Sequence, residues 1–131
     1  MVICDVNKLI KYWSQGSDLD FKAAQEIIHK TQQYVNVLFM LHLSLEKALK
    51  AVYVYKFQDH APYTHNLIQL ATKLELDIED RITFSEINEF NLRCRYPDDK
   101  YEIYKKATKT STMKYFLYTQ DLRKWILQKL K

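Results

Sequence analysis

Two groups of polar residues in this chain could do chemistry. The first lies in "HLSLEKALKA", where Glu46, Lys47 and Lys50 share a stretch otherwise occupied by apolar residues. Glu46 and Lys50 are four apart in the favourable Glu-before-Lys order, worth a few tenths of a kcal/mol on an exposed helix. They read either as a solvated strip where a helix reaches water or, with Lys47, as a cationic strip facing a groove. The second group lies in "INEFNLRCRYPDDKYEIYKKATK". There Asn91 and Arg95 are four apart and continue the apolar stripe of Phe84 and Ile87. A guanidinium there could grip a phosphate, because its planar fork bonds two oxygens at once. It could equally cap the carbonyl end of its helix and pair with Asp98 or Asp99.

Other templates find no match. One glycine cannot build a phosphate-cradling loop. His60 and His65 are five apart with no cysteine cluster or His-Glu-x-x-His beside them, so neither a metal nor a cofactor is expected. His29 and His42 read as hydrogen-bonded helix-face histidines, and no serine or threonine has a nucleophile setting. No catalytic residue is assigned.

Net charge is +4 but uneven. From Arg93 to Lys131 the chain carries a local +7, and the first 92 residues a local −3. A basic C-terminal third attracts anions: nucleic acid, nucleotide phosphate or an acidic protein. Cys4 and Cys94 read as single thiols in a reducing compartment. The N-terminus carries charges within its apolar stretch and resembles no signal peptide, and no run approaches ~20 apolar residues. These features predict a soluble, cytoplasmic protein without a membrane segment.

The elements that must position these groups are helices. With one glycine and two prolines in 131 residues, the turn chemistry for many strands is missing, and the chain reads as a single all-α domain over residues 1–131. A first helix is predicted from Asp5 to Ser14, closed by Gly16 as a left-handed cap. Ser17–Asp20 then reads as a capping-box variant opening a second stretch to Thr31. Tyr34–Phe57 reads as the central helix, apolar on two sides: Val37/Leu38, Leu41, Leu45, Ala48/Leu49 and Val52 on one, Phe39, Leu43 and Val54 on the other. Thr64 can cap a short helix with Leu67, Leu70, Ala71 and Leu74 inward, and Asp77–Asp80 can cap the next. Pro97 disfavours a helical Tyr96 and ends that helix near Arg95. A last helix is predicted to begin between Lys100 and Lys109, with Tyr115, Tyr118, Leu122, Ile126 and Leu130 inward. The expected fold is an antiparallel up-and-down four-helix bundle with one additional short helix.

Those motifs in that order resemble the HEPN family: "YW…SDLDFKAA", "HLSLEKALKA", then Pro62-x-x-His65-Asn66-Leu67, then "RYPDDK". The resemblance implies a bundle that dimerises and often works beside a minimal nucleotidyltransferase encoded next to it, in a toxin–antitoxin-like pair. Many members are metal-independent RNases, with an Arg followed four to six residues later by His and a polar residue four before the Arg. Asn91 and Arg95 match the polar residue and the Arg. Positions four to six beyond are Asp99, Lys100 and Tyr101, and no histidine follows His65. Cleavage through the 2′-hydroxyl needs a group titrating near neutrality, so Arg-Tyr-Pro-Asp in its place implies a non-nucleolytic branch. The expected site binds a nucleotide or RNA phosphate through Arg95 and Asn91, supported by Lys47 and Lys50, with Tyr96 or Tyr101 stacking a base. The alternatives are a residual RNase using Arg95 with Tyr101 or Lys100, and a module whose basic last helix docks an acidic protein.

Overall fold

The computed structural model describes residues 5–93 and 96–131, and of residues 92, 99, 100 and 101 the backbone alone. Cys4, Cys94 and Arg95 lie outside the described residues, and with them the readings of the two thiols and of the guanidinium. The elements are α1 (Val6–Lys30), α2 (Tyr34–Phe57), α3 (Leu67–Lys73), α4 (Arg81–Arg93), α5 (Pro97–Lys106) and α6 (Lys109–Leu127), which ends in a 3-10 turn at Gln128–Leu130. Among the described residues there is no strand, and no helix is long and apolar enough to cross a membrane.

The expected break at Gly16 is absent, and α1 is one continuous helix capped at its start by Asp5. Glycine serves close approach here. A Cβ at Gly16 would stand 3.0 Å from Lys47 Cδ on α2. The next residue, Ser17, is fully buried and donates to the Ser44 carbonyl at 2.6 Å. Asp18 and Asp20 cap nothing: they pair with Arg123 and Lys47 at 2.5 and 2.8 Å. A mid-helix glycine costs about 1 kcal/mol against alanine, and tight α1–α2 packing offsets it.

Contacts across the helices give their directions. Trp13 lies over Lys50 and Asp20 meets Lys47, so α2 runs back along α1. Phe21 stacks on Phe116 and Asp18 meets Arg123, so α6 is antiparallel to α1. Phe90 meets Tyr115, while the Tyr118 hydroxyl donates to the Glu79 carbonyl at 2.7 Å, so α4 is antiparallel to α6. The four long helices therefore alternate up and down, as the sequence predicts. Helix α2 is the centre: Val37, Leu41, Leu45 and Leu49 are fully buried along one side, and Val54 is fully buried on the other.

The cap of α3 also differs from expectation. Asn66, not Thr64, caps α3, accepting from the Gln69 amide at 3.0 Å. The Thr64 hydroxyl instead takes the Asn66 amide at 3.1 Å. The inward face of α3 (Leu67, Leu70, Ala71, Leu74) is buried as predicted. Asp80 opens α4 by accepting from the Thr83 amide at 3.2 Å.

Tyr96 is extended, as Pro97 requires. The last helix, α6, begins at Lys109, within the expected range of Lys100 to Lys109. Before it the chain forms one further helix, α5, starting at Pro97, because the locked φ of proline suits the first helical position and its missing N–H needs no partner there. Thr108 and Ser111 form a capping box that opens α6. On α6 Leu122 and Ile126 are buried as expected, joined by Phe116 and by Thr112 and Thr119.

Candidate functional site

His42, Glu46 and Lys50 follow one another at four-residue steps along α2, so they stack on one face. None of them is solvated: their exposures are 0%, 4% and 5%. This corrects the solvated-strip reading of Glu46 and Lys50. Glu46 Oε2 accepts from Lys50 Nζ at 3.2 Å, and the Trp13 ring covers that ammonium with its centroid 5.0 Å away. Glu46 Oε1 accepts from His65 Nδ1 at 2.9 Å and faces His42 Nε2 at 3.5 Å. His42 Nδ1 lies 3.1 Å from the Ile87 carbonyl of α4. That oxygen can only accept, so Nδ1 carries the hydrogen.

Burial alone would raise the Glu46 carboxyl. Bonds from His42 and His65, with the charge and bond of Lys50, outweigh it and bring the group down to about 2. The carboxylate is therefore ionised: it holds the Lys50 ammonium and the His65 imidazole, and faces His42 Nε2. His65 is the rim of the cluster. Its side chain is 56% exposed, and with Nδ1 donated to Glu46, Nε2 is the nitrogen left for solvent or a ligand. Asn88 fixes the segment carrying His65, taking the Leu67 amide at 2.7 Å.

The other expected site residues fall into place as follows. Asn91 is buried on α4, one turn beyond the Ile87 whose carbonyl meets His42. Lys47 leaves this cluster and pairs with Asp20 on α1 at 2.8 Å. Tyr96 is 56% exposed at the α4–α5 junction. Tyr101 belongs to α5 by its backbone, and Arg95 lies outside the described residues. On the opposite face of α4, Arg93 and Lys106 line a recess of about 240 Å³ with Leu38, Phe90, Ile103 and Tyr115. The Tyr115 hydroxyl donates to Glu86 there; burial first, then that carboxylate, pushes the phenol up to about 12.

Among the described residues, no group of three or more His, Cys, Asp or Glu is arranged to hold a metal ion. The His42–Glu46–Lys50 spacing was available in the sequence as a signal. Its closure by His65 was not, because that partner comes from 19 residues away.

With the fold and cluster described, the comparisons with known proteins are specific. The HEPN domain family model matches residues 10–130. The chain therefore belongs to the HEPN domain family, and the likeness carried by its motifs extends over nearly its whole length. Neither a curated protein nor a solved structure matches it.

Proposed function

We propose that this HEPN domain binds a nucleotide or RNA phosphate around Arg95, does not cleave it, and works as a cytoplasmic homodimer beside a minimal nucleotidyltransferase in a toxin–antitoxin-like pair. The observation that carries this reading is that Asp99, Lys100 and Tyr101 stand four to six residues after Arg95, where the family's RNases place a histidine. His42 offers no shuttle at the surface, since it is fully buried with Nδ1 on the Ile87 carbonyl. Arg95 then supplies grip without a proton shuttle. Lys47 and Lys50 take no part in that grip, because both are already paired with carboxylates.

The test is binding of labelled RNA and nucleotide at low salt, where phosphate contacts are strongest. Arg95→Ala is expected to weaken binding by about tenfold or more, the worth of a charge-assisted bond. Binding that survives the change at full strength removes the case for Arg95. Co-purification with a small nucleotidyltransferase encoded beside the chain would support the partner assignment.

One observation favours a second reading, a metal-independent RNase. A buried carboxylate orienting an imidazole whose other nitrogen faces solvent is an arrangement that can accept a proton. RNA cleavage without metal that disappears in both His65→Ala and Arg95→Ala would establish that reading in place of the non-nucleolytic one.

A further inference from the structure

Between α3 and α4 lies a groove of about 610 Å³, within the ~300–1,000 Å³ range of binding pockets. Ile68, Ala71 and Thr72 line it from α3, and Arg81, Phe84 and Ser85 from α4. On each helix those positions are three or four apart, so each presents one ridge to the furrow. Ile78, from the connection, and Phe84 are buried at its base, while Ile68 is 42% exposed, an apolar side chain left in water. The seven residues of α3 span about 10 Å.

The rim is acidic. Glu75–Asp80 carries four carboxylates in six residues, with no basic residue among them. Asp77, Glu79 and Asp80 also line a second recess with Asp121, and the two recesses share Asp77. Across both, Glu75, Asp77, Glu79, Asp80 and Asp121 stand against one lining cation, Arg81. Arg81 pairs with Asp77 at 3.2 Å and Lys56 with Glu75 at 3.8 Å, both too exposed to hold much. Lys129 lies over the Trp125 ring, and Lys114 stands by Asp80, which caps α4. Glu79 and Asp121 have no ion pair among the described residues. Glu75 has a φ of 55°, a left-handed backbone that favours glycine. The chain carries a carboxylate there against that preference, with its side chain 85% exposed.

We infer that this groove docks a basic amphipathic helix of a partner protein, its apolar face between α3 and α4 and its Lys or Arg flank on Glu75–Asp80. A helix held in a groove is gripped by apolar anchors at i, i+3 or i+4, and i+7. The step from i to i+7 covers about 10 Å, the length of α3. The sign of the rim selects the partner. The chain as a whole is +4 and repels a basic helix, so this face attracts it where the rest does not. The site uses no residue of the phosphate-binding reading and is tested apart from it.

The experiment titrates the full chain into a fluorescein-labelled Leu/Lys peptide of about 14 residues, its leucines at helical spacing, and follows anisotropy. Two further peptides serve as controls: the same composition scrambled, and the same pattern with Glu for every Lys. The first should bind saturably, at least about tenfold tighter than either control, and more weakly as salt rises. Glu75→Gly with Glu79→Gln should weaken binding about fivefold and flatten the salt dependence. Glycine suits the backbone at position 75, so that variant keeps the fold, which a melting curve checks. Ile68→Ala should weaken binding about fivefold at every salt concentration. Binding that both variants leave unchanged, equal binding of the Glu peptide, or no saturable binding of the Leu/Lys peptide overturns the inference. So does a neutral apolar dye, N-phenylnaphthylamine, that binds as tightly as the peptide, since the groove is then a small-molecule pocket. An oligomeric state that changes in Ile68→Ala by sedimentation overturns it too, because a second copy of the chain then fills the groove.

Discussion

The middle of α2 and the α4–α5–α6 end treat positive charge in opposite ways. In the middle, every cation named has a carboxylate against it: Lys50 with Glu46, Lys47 with Asp20, and Arg123 with Asp18 on the neighbouring packing face. At the end, Lys106 and Lys109 stand exposed without an ion pair among the described residues. Burial makes the difference. An ammonium at 5% exposure cannot be left alone, because desolvating an unpaired charge costs several kcal/mol. An exposed lysine has no such demand and leaves its field for something that is not part of the chain. The first region thus holds the bundle together, and the second leaves its lysines to solvent.

The sharpest way to break this contrast is to remove the central carboxylate. Glu46→Ala should cost about 3–5 kcal/mol in urea denaturation, because it strands Lys50 inside the bundle. Lys106→Ala and Lys109→Ala should each stay within about 0.5 kcal/mol. Equal losses in both regions would erase the distinction. A double change, Glu46→Leu with Lys50→Met, should recover much of the loss if the ion pair is the main element, since replacing both partners with apolar residues is often neutral.

A pH series gives the next effect. The Glu46 carboxyl is held down to about 2, against an ordinary value of 4.5. A depressed carboxyl stabilises the fold while it is ionised. Its contribution, on the order of 3 kcal/mol, is complete above about pH 5 and drains away as pH falls towards 2. In Glu46→Gln the stability curve should lose that slope. A variant curve parallel to the wild type would show that other carboxylates carry the acid transition.

What could be read from the chain beforehand follows from these same residues. The bounds of α2 were legible because its apolar residues run on two sides without a breaker between Tyr34 and Phe57. The burial of Glu46 and Lys50 was not, since periodicity shows a shared face but not what covers it, and the cover comes from Trp13 and His65. Pro97 was legible as a stop and not as a start, although proline does both at a helix boundary. On α6, Thr112 and Thr119 are buried seven residues apart around Phe116, and threonines do not mark an apolar stripe. Gly16 misled for a simpler reason: a glycine needed for a left-handed turn and one needed for close packing are the same letter.

A smaller effect follows from the cap of α3. Asn66→Ala removes the acceptor for the Gln69 amide and should cost about 1 kcal/mol. Thr64→Ala should cost less, because its hydroxyl takes the Asn66 amide outside the helix. The reverse order would restore Thr64 as the cap.

The smallest net change is expected at Gly16, where two terms nearly cancel. Alanine gains about 1 kcal/mol of helix propensity over glycine. Its Cβ would meet Lys47 Cδ at 3.0 Å, so the lysine stem must move and loosen its 2.8 Å pair with Asp20. That partly exposed pair is worth at most about 1 kcal/mol. Gly16→Ala alone should therefore change stability by less than about 0.5 kcal/mol, from the difference of these terms. In a Lys47→Ala background the obstacle is gone, and the same change should stabilise by about 1 kcal/mol. A left-handed glycine would behave otherwise, since alanine there is strained whatever stands at position 47. A double-mutant cycle over Gly16 and Lys47 measures this coupling directly. Zero coupling would mean that the central cations are placed without help from the close approach of α1.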